Sequence, residues 1–470
     1  MKNNVLLINP PFKYIKQTQI IPIGLLNLGT MLENNGIDVK ILDINAEKKY
    51  TNEFLPNPLT KTEFIQKIKK IDPDIIGLTS CTENSPFAMK IAHLCKSENE
   101  NVKIIFGGIH ATFQAAECLN ENPSLDVVVK GEAEHIIVDL VNALRNRDDL
   151  KKIPNIIYRQ NGILKHSEFN SVPDLNEIPF FDLDLIKGKF YPSFLLQLEF
   201  GRGCPFHCCF CSLSPLAEWK IRFFPFKRIM NILQVYQEKF KNFSFYICDP
   251  TFLLNQKRVF SFIEEIKKQK MELRDWNFTT RIDTLNHSIL NALRTINAKM
   301  ATIGIEDIHD SVLEAINKKQ TFAQIEEGLK ILKEEGFQIE SNVIIGLPSQ
   351  TKEHMLENIA YSKNIDFCGF PTLTPFPGSQ IFTHPDKFGL TILTKNFELY
   401  TGREIVTESN VFPVNQQREI LELMGRHNAQ VQLQKDSTYF FERKMFERIL
   451  EIGFAAWNQE WKTEHVLLWN

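Results

Sequence analysis

Twice along this chain, short β-branched runs alternate with amphipathic stretches, and no other feature restricts the fold as strongly. In residues 1–150 the runs are VLLIN (5–9), DVKILDI (38–44), DIIGLTS (74–80), VKIIFGG (102–108) and DVVVKGE (126–132). Amphipathic segments at 24–35, about 62–70 and 85–96 read as helices, the first stopped by Gly36. Strands that are apolar on both sides are covered on both faces, so the runs predict a parallel sheet wrapped by helices. Ligands of such sheets gather at the carboxyl ends of the strands. Those ends are Asn9 and Pro10, Thr79 and Ser80, Gly107, Gly108 and His110, and Gly131 with Glu132.

A stretch at 151–193 loses the periodicity and gains prolines, which predicts an extended connector. A second series follows in 194–388, with strands at 195–201, 243–249, 276–283, 300–306, 339–346 and 367–375 separated by helical stretches such as 323–335. Six strands with helices between them read as a partial or full α/β barrel. Residues 389–470 read as a C-terminal helical region, with an amphipathic face along 416–452. The helix within 441–461 is expected to pack on the barrel or on a dimer partner, ahead of a role as a lid.

At 470 residues the chain exceeds one ordinary core, and 43% hydrophobic with 24% charged residues is a globular composition. A net charge of -3 gives no basic stripe for nucleic acid. No apolar run approaches the roughly 20 residues of a membrane span. The expected location is the cytoplasm, where thiols stay reduced and clustered cysteines point to metal or redox chemistry.

Four of the nine cysteines fall in FGRGCPFHCCFCSLS (200–214), directly after the first strand of the second series. Cys204, Cys208 and Cys211 form C-x3-C-x2-C, while Cys209 is adjacent to Cys208 and should point elsewhere. Structural zinc takes four ligands, usually as two separated pairs; here His207 is the available fourth. Thiolates at this spacing hold iron–sulfur clusters, and three ligands on a [4Fe–4S] cube leave one iron open. The remaining cysteines, Cys81, Cys95, Cys118, Cys248 and Cys368, read as ordinary buried residues.

The three cysteines, with Phe210 before the last, resemble the signature of the radical S-adenosylmethionine (SAM) superfamily. The resemblance implies an (α/β)6 partial barrel, SAM chelated to the open iron, and reductive cleavage of SAM to a 5'-deoxyadenosyl radical. It further implies SAM contacts from Phe210, Asp249 in CDPTF (amino group), Arg281 in TTRID (carboxylate) and Glu306 in GIED (ribose). PIGLLNLGTMLENNG (22–36), FGGIHAT (106–112), VKGEAE (129–134), NVIIGLPSQTKE (342–353) and TPFPGSQIF (374–382) resemble its cobalamin-binding branch. For that branch a Rossmann-like (flavodoxin-like) N-terminal domain carrying cobalamin is implied, with the strand ends above as its binding face. The D-x-H-x-x-G motif of methionine synthase-type domains is absent, and the loop after the first strand, NPPFKY, offers no imidazole. His110 reads as a packing or hydrogen-bonding residue ahead of a cobalt ligand.

The leading expectation is cobalamin-dependent C-methylation of an unactivated carbon in a small-molecule or peptide substrate, with a flavodoxin- or ferredoxin-type one-electron reductant. Non-methylating radical chemistry of the same branch (oxidative cyclisation, rearrangement or C–S bond formation) is the alternative. A non-catalytic iron–sulfur or zinc protein, and a barrel whose N-terminal sheet is an empty scaffold or substrate-binding module, are the other readings.

Overall fold

A computed structural model of the chain describes residues 4–12, 20–46, 49–50, 56–57, 59–169, 172, 174–186, 196–240 and 243–433. The first sheet is built from β1 (Asn4–Asn9), β2 (Asp38–Asp43), β3 (Ile75–Thr79), β4 (Lys103–Gly107), β5 (Val127–Val129), β6 (Ile156–Gln160) and β7 (Ile163–His166). Their order is β2-β1-β3-β4-β5-β6-β7. The first five strands run parallel, in the flavodoxin-like order whose switch point lies between β1 and β3. Helices α1 (Ile23–Asn34), α2 (Lys61–Ile71) and α3 (Ser85–Glu98) make the first three connections, two short helices (Ile109–Phe113 and Ala115–Glu121) join β4 to β5, and α4 (Ile137–Asn146) follows β5. Two apolar cores follow, one on each face. Leu6, Ile8, Ile76, Leu78, Ile104 and Phe106 pack on one side, and Val5, Leu7, Ile75, Ile105, Val127 and Val129 on the other.

The predicted connector differs from expectation at its start. β6 and β7 form a hairpin that extends the first sheet antiparallel beyond β5. Asn161-Gly162 supplies its turn, with both residues at positive φ. The signal was local, since Asn-Gly between two β-rich runs is a hairpin signature.

The second sheet holds β8 (Leu196–Leu198), β9 (Phe245–Ile247), β10 (Trp276–Thr280), β11 (Ala298–Glu306), β12 (Gln338–Val343) and β13 (Phe367–Gly369), in that order and all parallel. Its connecting helices are α5 (Phe226–Lys239), α6 (Gln256–Lys268), α7 (His287–Arg294), α8 (Phe322–Glu334) and α9 (Lys352–Tyr361). This is the six-stranded partial barrel expected from the sequence. Side chains alternate along its strands as the pleat requires. Leu196, Leu198, Phe245, Ile247, Trp276, Phe278, Ile303 and Ile305 are buried under the helices, while Gln197, Tyr246, Asn277, Thr279 and Thr302 face the partly open interior.

Strands do not stop at Leu390: a short hairpin pairs Leu390–Ile392 with Thr407–Ser409. α10 (Val414–Leu433) then packs on α9 through Ile420 and Met424. The tail helix expected at 441–461 lies outside the described residues. No helix among the described residues is long and apolar enough to cross a membrane.

The barrel core is aromatic. Trp276 is fully buried, stacks on Phe245 at 5.2 Å and donates its indole N–H to the Ile296 carbonyl at 2.7 Å. Trp276→Ala removes both contacts and is expected to cost about 3–5 kcal/mol, seen as a lowered unfolding midpoint in urea with the first sheet's helices still formed.

Candidate active site

The loop between β8 and the helix Leu213–Leu216 is fixed from behind. Phe200 is fully buried, with edge-on contacts to Phe252 (5.0 Å) and Phe262 (5.4 Å). The Asp249 carboxylate accepts the Phe200 amide at 2.8 Å and the Gly201 amide beside it. At the far end, Cys209 is fully buried; its amide donates to the Ile316 carbonyl (3.0 Å) and its carbonyl accepts from Ile381 (3.2 Å). Gly203, at φ 95°, lets the chain pass against the Lys220 carbonyl, where no β-carbon would fit. Cys204, Cys208 and Cys211 are left half-buried and unpaired at the mouth of the barrel. Burial pushes the Cys208 thiol up, and the nearby Lys318 and Arg281 cations oppose that push.

Among the described residues, no three His, Cys, Asp or Glu side chains converge on one point as a single metal ion requires. A four-iron cube places each thiolate on a different iron, and three thiols on one loop suit it. His207 is not poised as a fourth ligand. Its exposed ring stacks on Trp219 at 5.2 Å, and its carbonyl accepts from Asn317.

The residues expected to contact SAM are brought to this mouth in unequal ways. Phe210 packs against the core beside the loop. Asp249 is buried, and the structure shows its carboxylate committed to the loop's amides. Arg281 forms a two-point contact with Asp283 (3.0 and 2.9 Å) and lies over the Phe206 ring at 3.7 Å. Glu306, at φ 68° beside a register shift in β11, meets Lys318 at 2.8 Å. Lys318 escaped the sequence reading because it follows a helix and belongs to no recognisable strand end.

Across from the loop, the first sheet carries a cavity of about 270 Å3 between α1, α4 and the carboxyl ends of β1, β3, β4 and β5. Thr79, Gly107, Gly108, Gly131 and Glu132, from the strand ends, line it together with Leu7, Gly77, Ile105 and Arg202. A β-carbon on Gly107 or Gly131 would meet nothing within 4 Å, so both leave open space toward a ligand. Gly108, at φ 100°, packs on the Ser80 backbone too closely for a side chain. Thr112 ties the two glycine loops together, donating to the Gly108 carbonyl and accepting from the Gly131 amide, both at 2.9 Å. Ser80, expected at this face, does not line the cavity; its hydroxyl is buried without a hydrogen-bond partner. These features fit the buried end of a bulky cofactor.

The other strand-end residues sit elsewhere. Asn9 donates to Asp43 at 3.0 Å, and the Pro10 carbonyl accepts from Asn45 and Asn84, so both brace the first loop. His110 lines a separate groove of about 890 Å3 between α3 and residues 115–121, edge-on to Phe397 at 4.7 Å. Burial lowers its pKa to about 4 and keeps the ring neutral.

Cavity and loop are joined by charge. Arg202, two residues before Cys204, reaches Glu132 (3.0 Å), Glu134 (2.9 Å) and Glu199 (3.0 Å), while Arg222 also holds Glu132. Burial would raise the Glu199 carboxyl; Arg202 and Arg228 outweigh it and hold it below the usual range.

A flavodoxin-like sheet leading into an open six-stranded barrel, with three free thiols on the barrel's first loop, defines a class of cofactor-dependent enzyme. Residues 17–141 match the B12 binding domain family and residues 198–361 the radical SAM superfamily. An uncharacterized methyltransferase of Pyrococcus horikoshii is 31% identical over 89% of this chain and 90% of its own length. An anaerobic magnesium-protoporphyrin IX monomethyl ester cyclase of Rubrivivax gelatinosus is 26% identical over 74% of this chain and 64% of its own length. The cobalamin-dependent SAM radical enzyme OxsB, solved with aqua-cobalamin and SAM, shares the fold at a TM-score of 0.72, covering 99% of this chain and 72% of that one at 16% identity. The chain belongs to the B12-binding branch of the radical SAM superfamily. It is a radical SAM enzyme, with a [4Fe–4S] cluster, SAM and cobalamin as cofactors and a requirement for a reductant.

One consequence of the loop's anchoring is measurable without cofactors. Burial raises the Asp249 carboxyl from an ordinary 3.8 to about 7, against its backbone hydrogen bonds. A group protonated more readily when folded stabilises the fold fully below its unfolded pKa, and that contribution is lost as pH rises through about 7. The unmodified apoprotein should therefore lose thermal stability from about pH 4 to pH 7 relative to Asp249→Asn. Parallel pH profiles of the two proteins would contradict this.

Proposed function

We propose that this enzyme methylates an unactivated carbon, with Cys204, Cys208 and Cys211 as the cluster ligands and the glycine-lined cavity holding the cobalamin tail. The observation that carries the reading is the opposition of two built features across one interface. Three half-buried thiols stand on a loop whose fourth cysteine is locked in the core, and a glycine-lined cavity of the first sheet is lined by Arg202 of that same loop. When bound, the cluster supplies the electron that cleaves SAM and cobalamin carries the methyl group; breaking a strong C–H bond is beyond acid–base side chains. The protein's own residues orient the cofactors and exclude water.

Oxidative cyclisation is the second reading, favoured by the cyclase relative. Product mass separates the two: methylation replaces H by CH3 and leaves S-adenosylhomocysteine beside 5'-deoxyadenosine. The same proposal includes a small-molecule or peptide substrate, a flavodoxin- or ferredoxin-type reductant and the reducing cytoplasm, where thiolate clusters persist.

Two experiments test the assignments. After anaerobic reconstitution, alanine at Cys204, Cys208 or Cys211 should abolish 5'-deoxyadenosine formation, while Cys209→Ala should keep it. A dead Cys209 variant beside an active Cys211 variant would refute the ligand set. For the cavity, Gly107→Val projects two methyl groups into open space at a strand end. It should fold like the parent yet retain no corrin absorbance after incubation with hydroxocobalamin; unchanged retention would move the cofactor elsewhere.

A further inference from the structure

The cysteine loop and the turn after it present an aromatic and apolar patch to solvent. Trp219 is 41% exposed and Leu213 48% exposed, both on the segment that follows Cys211. The Trp219 ring lies on the exposed His207 ring, 5.2 Å between centroids and 17° from parallel. His207 directly precedes Cys208, so the stack runs from solvent to the backbone that carries one of the three thiols.

This placement strains the chain. Glu218 and Trp219 are both left-handed, at φ 52° and 54°, a conformation that non-glycine residues adopt singly and at a cost. The Trp219 amide donates to the Ser214 carbonyl (2.8 Å) and the Glu218 amide to Pro215 (3.1 Å), which holds the turn. Gly203 of the cysteine loop packs on the Lys220 carbonyl, so turn and loop are fixed to each other. Strain kept in a turn whose tryptophan stays out of the core argues for a surface role, and tryptophan is the side chain most enriched at the centres of interfaces.

The rim of the patch is cationic. Asn317 donates to the His207 carbonyl at 2.8 Å and brings Lys319 to the same edge, where it is exposed and makes no ion pair among the described residues. Lys220 is exposed beside Glu218 at 2.7 Å. Across residues 204–220 and 316–320 the charged side chains are Lys220, Lys318 and Lys319 against Glu218 alone, on a chain whose net charge is -3.

We infer that this patch is the docking surface of a flavodoxin-type electron carrier, with Trp219 and His207 at its centre and Lys220 and Lys319 at its rim. This rests on the proposed ligand set, since electron transfer requires close approach to the cluster that Cys208 would help to hold. Such a carrier is acidic around an exposed flavin edge that is flat, apolar and aromatic. Trp219 and Leu213 match the edge, and the lysines match the acidic surround. One electron leaves the carrier's anionic flavin hydroquinone, which becomes the neutral semiquinone; the cluster gains that electron and no proton moves.

The test uses the reconstituted holoenzyme, checked first with dithionite, a reductant that needs no docking surface. If dithionite and SAM give no 5'-deoxyadenosine with the unmodified enzyme, the ligand set fails and this assignment falls with it. Given that activity, Lys319→Glu and Trp219→Gly should each keep the parent's iron content and dithionite-driven rate. Both should bind a purified oxidised flavodoxin about tenfold more weakly by calorimetry, and be reduced by its hydroquinone about tenfold more slowly in stopped flow at low salt. Trp219→Gly removes the left-handed strain along with the ring, so its loss of binding is expected in a protein that still folds. The Lys319→Glu deficit should shrink at high salt, where charge is screened. Parent-like flavodoxin binding in both variants overturns the inference. So does a loss seen only with a ferredoxin, or a parent dimer in sedimentation that either substitution dissociates.

Discussion

The pinning of Cys209 is the constraint on which the site depends. Three neighbouring thiols have no intrinsic reason to face the same way. Here the fourth cysteine is drawn into the core, bonded to the Ile316 carbonyl on one side and the Ile381 amide on the other. Ile316 follows β11 and Ile381 follows β13, so a loop attached to the first strand is registered against the fourth and sixth. Phe200 and Asp249 hold the entry of the same loop from β8 and β9. Residues that never touch a cofactor thereby decide where three thiolates point.

The same logic explains a charge cluster that looks extravagant for stability alone. Replacing buried ion pairs by apolar groups is often neutral or stabilising, so their retention argues for specificity of arrangement. Arg202 makes the point well. It emerges two residues before Cys204, reaches back to Glu199 on its own segment, and spans to Glu132 and Glu134 beside the glycine cavity. Arg222 meets Glu132 from the paired strand opposite. A cavity and a loop in different sheets are thus set at one separation.

Much of this was legible in the chain. All six barrel strands fell where β-branched runs placed them, because a strand buried under helices has few options but Ile, Val, Leu and Phe. The three-cysteine loop was legible because its spacing is local. Less visible were contacts set by tertiary proximity. Asp249 reads as a strand-end charge, yet the fold turns it under the Phe200 and Gly201 amides. His110 reads as a strand-end imidazole, but the short helix 109–113 rotates it toward Phe397 and away from the glycine cavity. Asn9 and Pro10 lie at the end of β1, but Asp43 takes up the Asn9 amide, and Asn45 and Asn84, distant in sequence, take up the Pro10 carbonyl. Arg202 and Lys318 carry no motif, and only the packing of separate segments shows that they line the site.

The interior of the barrel completes the argument. A closed eight-stranded barrel fills itself with layers of branched side chains. This open six-stranded sheet points Tyr246 at Thr279 (3.1 Å), Thr302 at Glu340 (2.6 Å) and Glu306 at Lys318 (2.8 Å) into the space its missing strands leave. Such pairs satisfy one another when no ligand is bound, so the interior avoids orphaned polar groups without collapsing. Each can also exchange its partner for a substrate hydroxyl or carboxylate at modest cost, since a hydrogen bond is traded and none is lost. An interior built this way is stable when empty and receptive when filled, as an enzyme that admits cofactor and substrate must be.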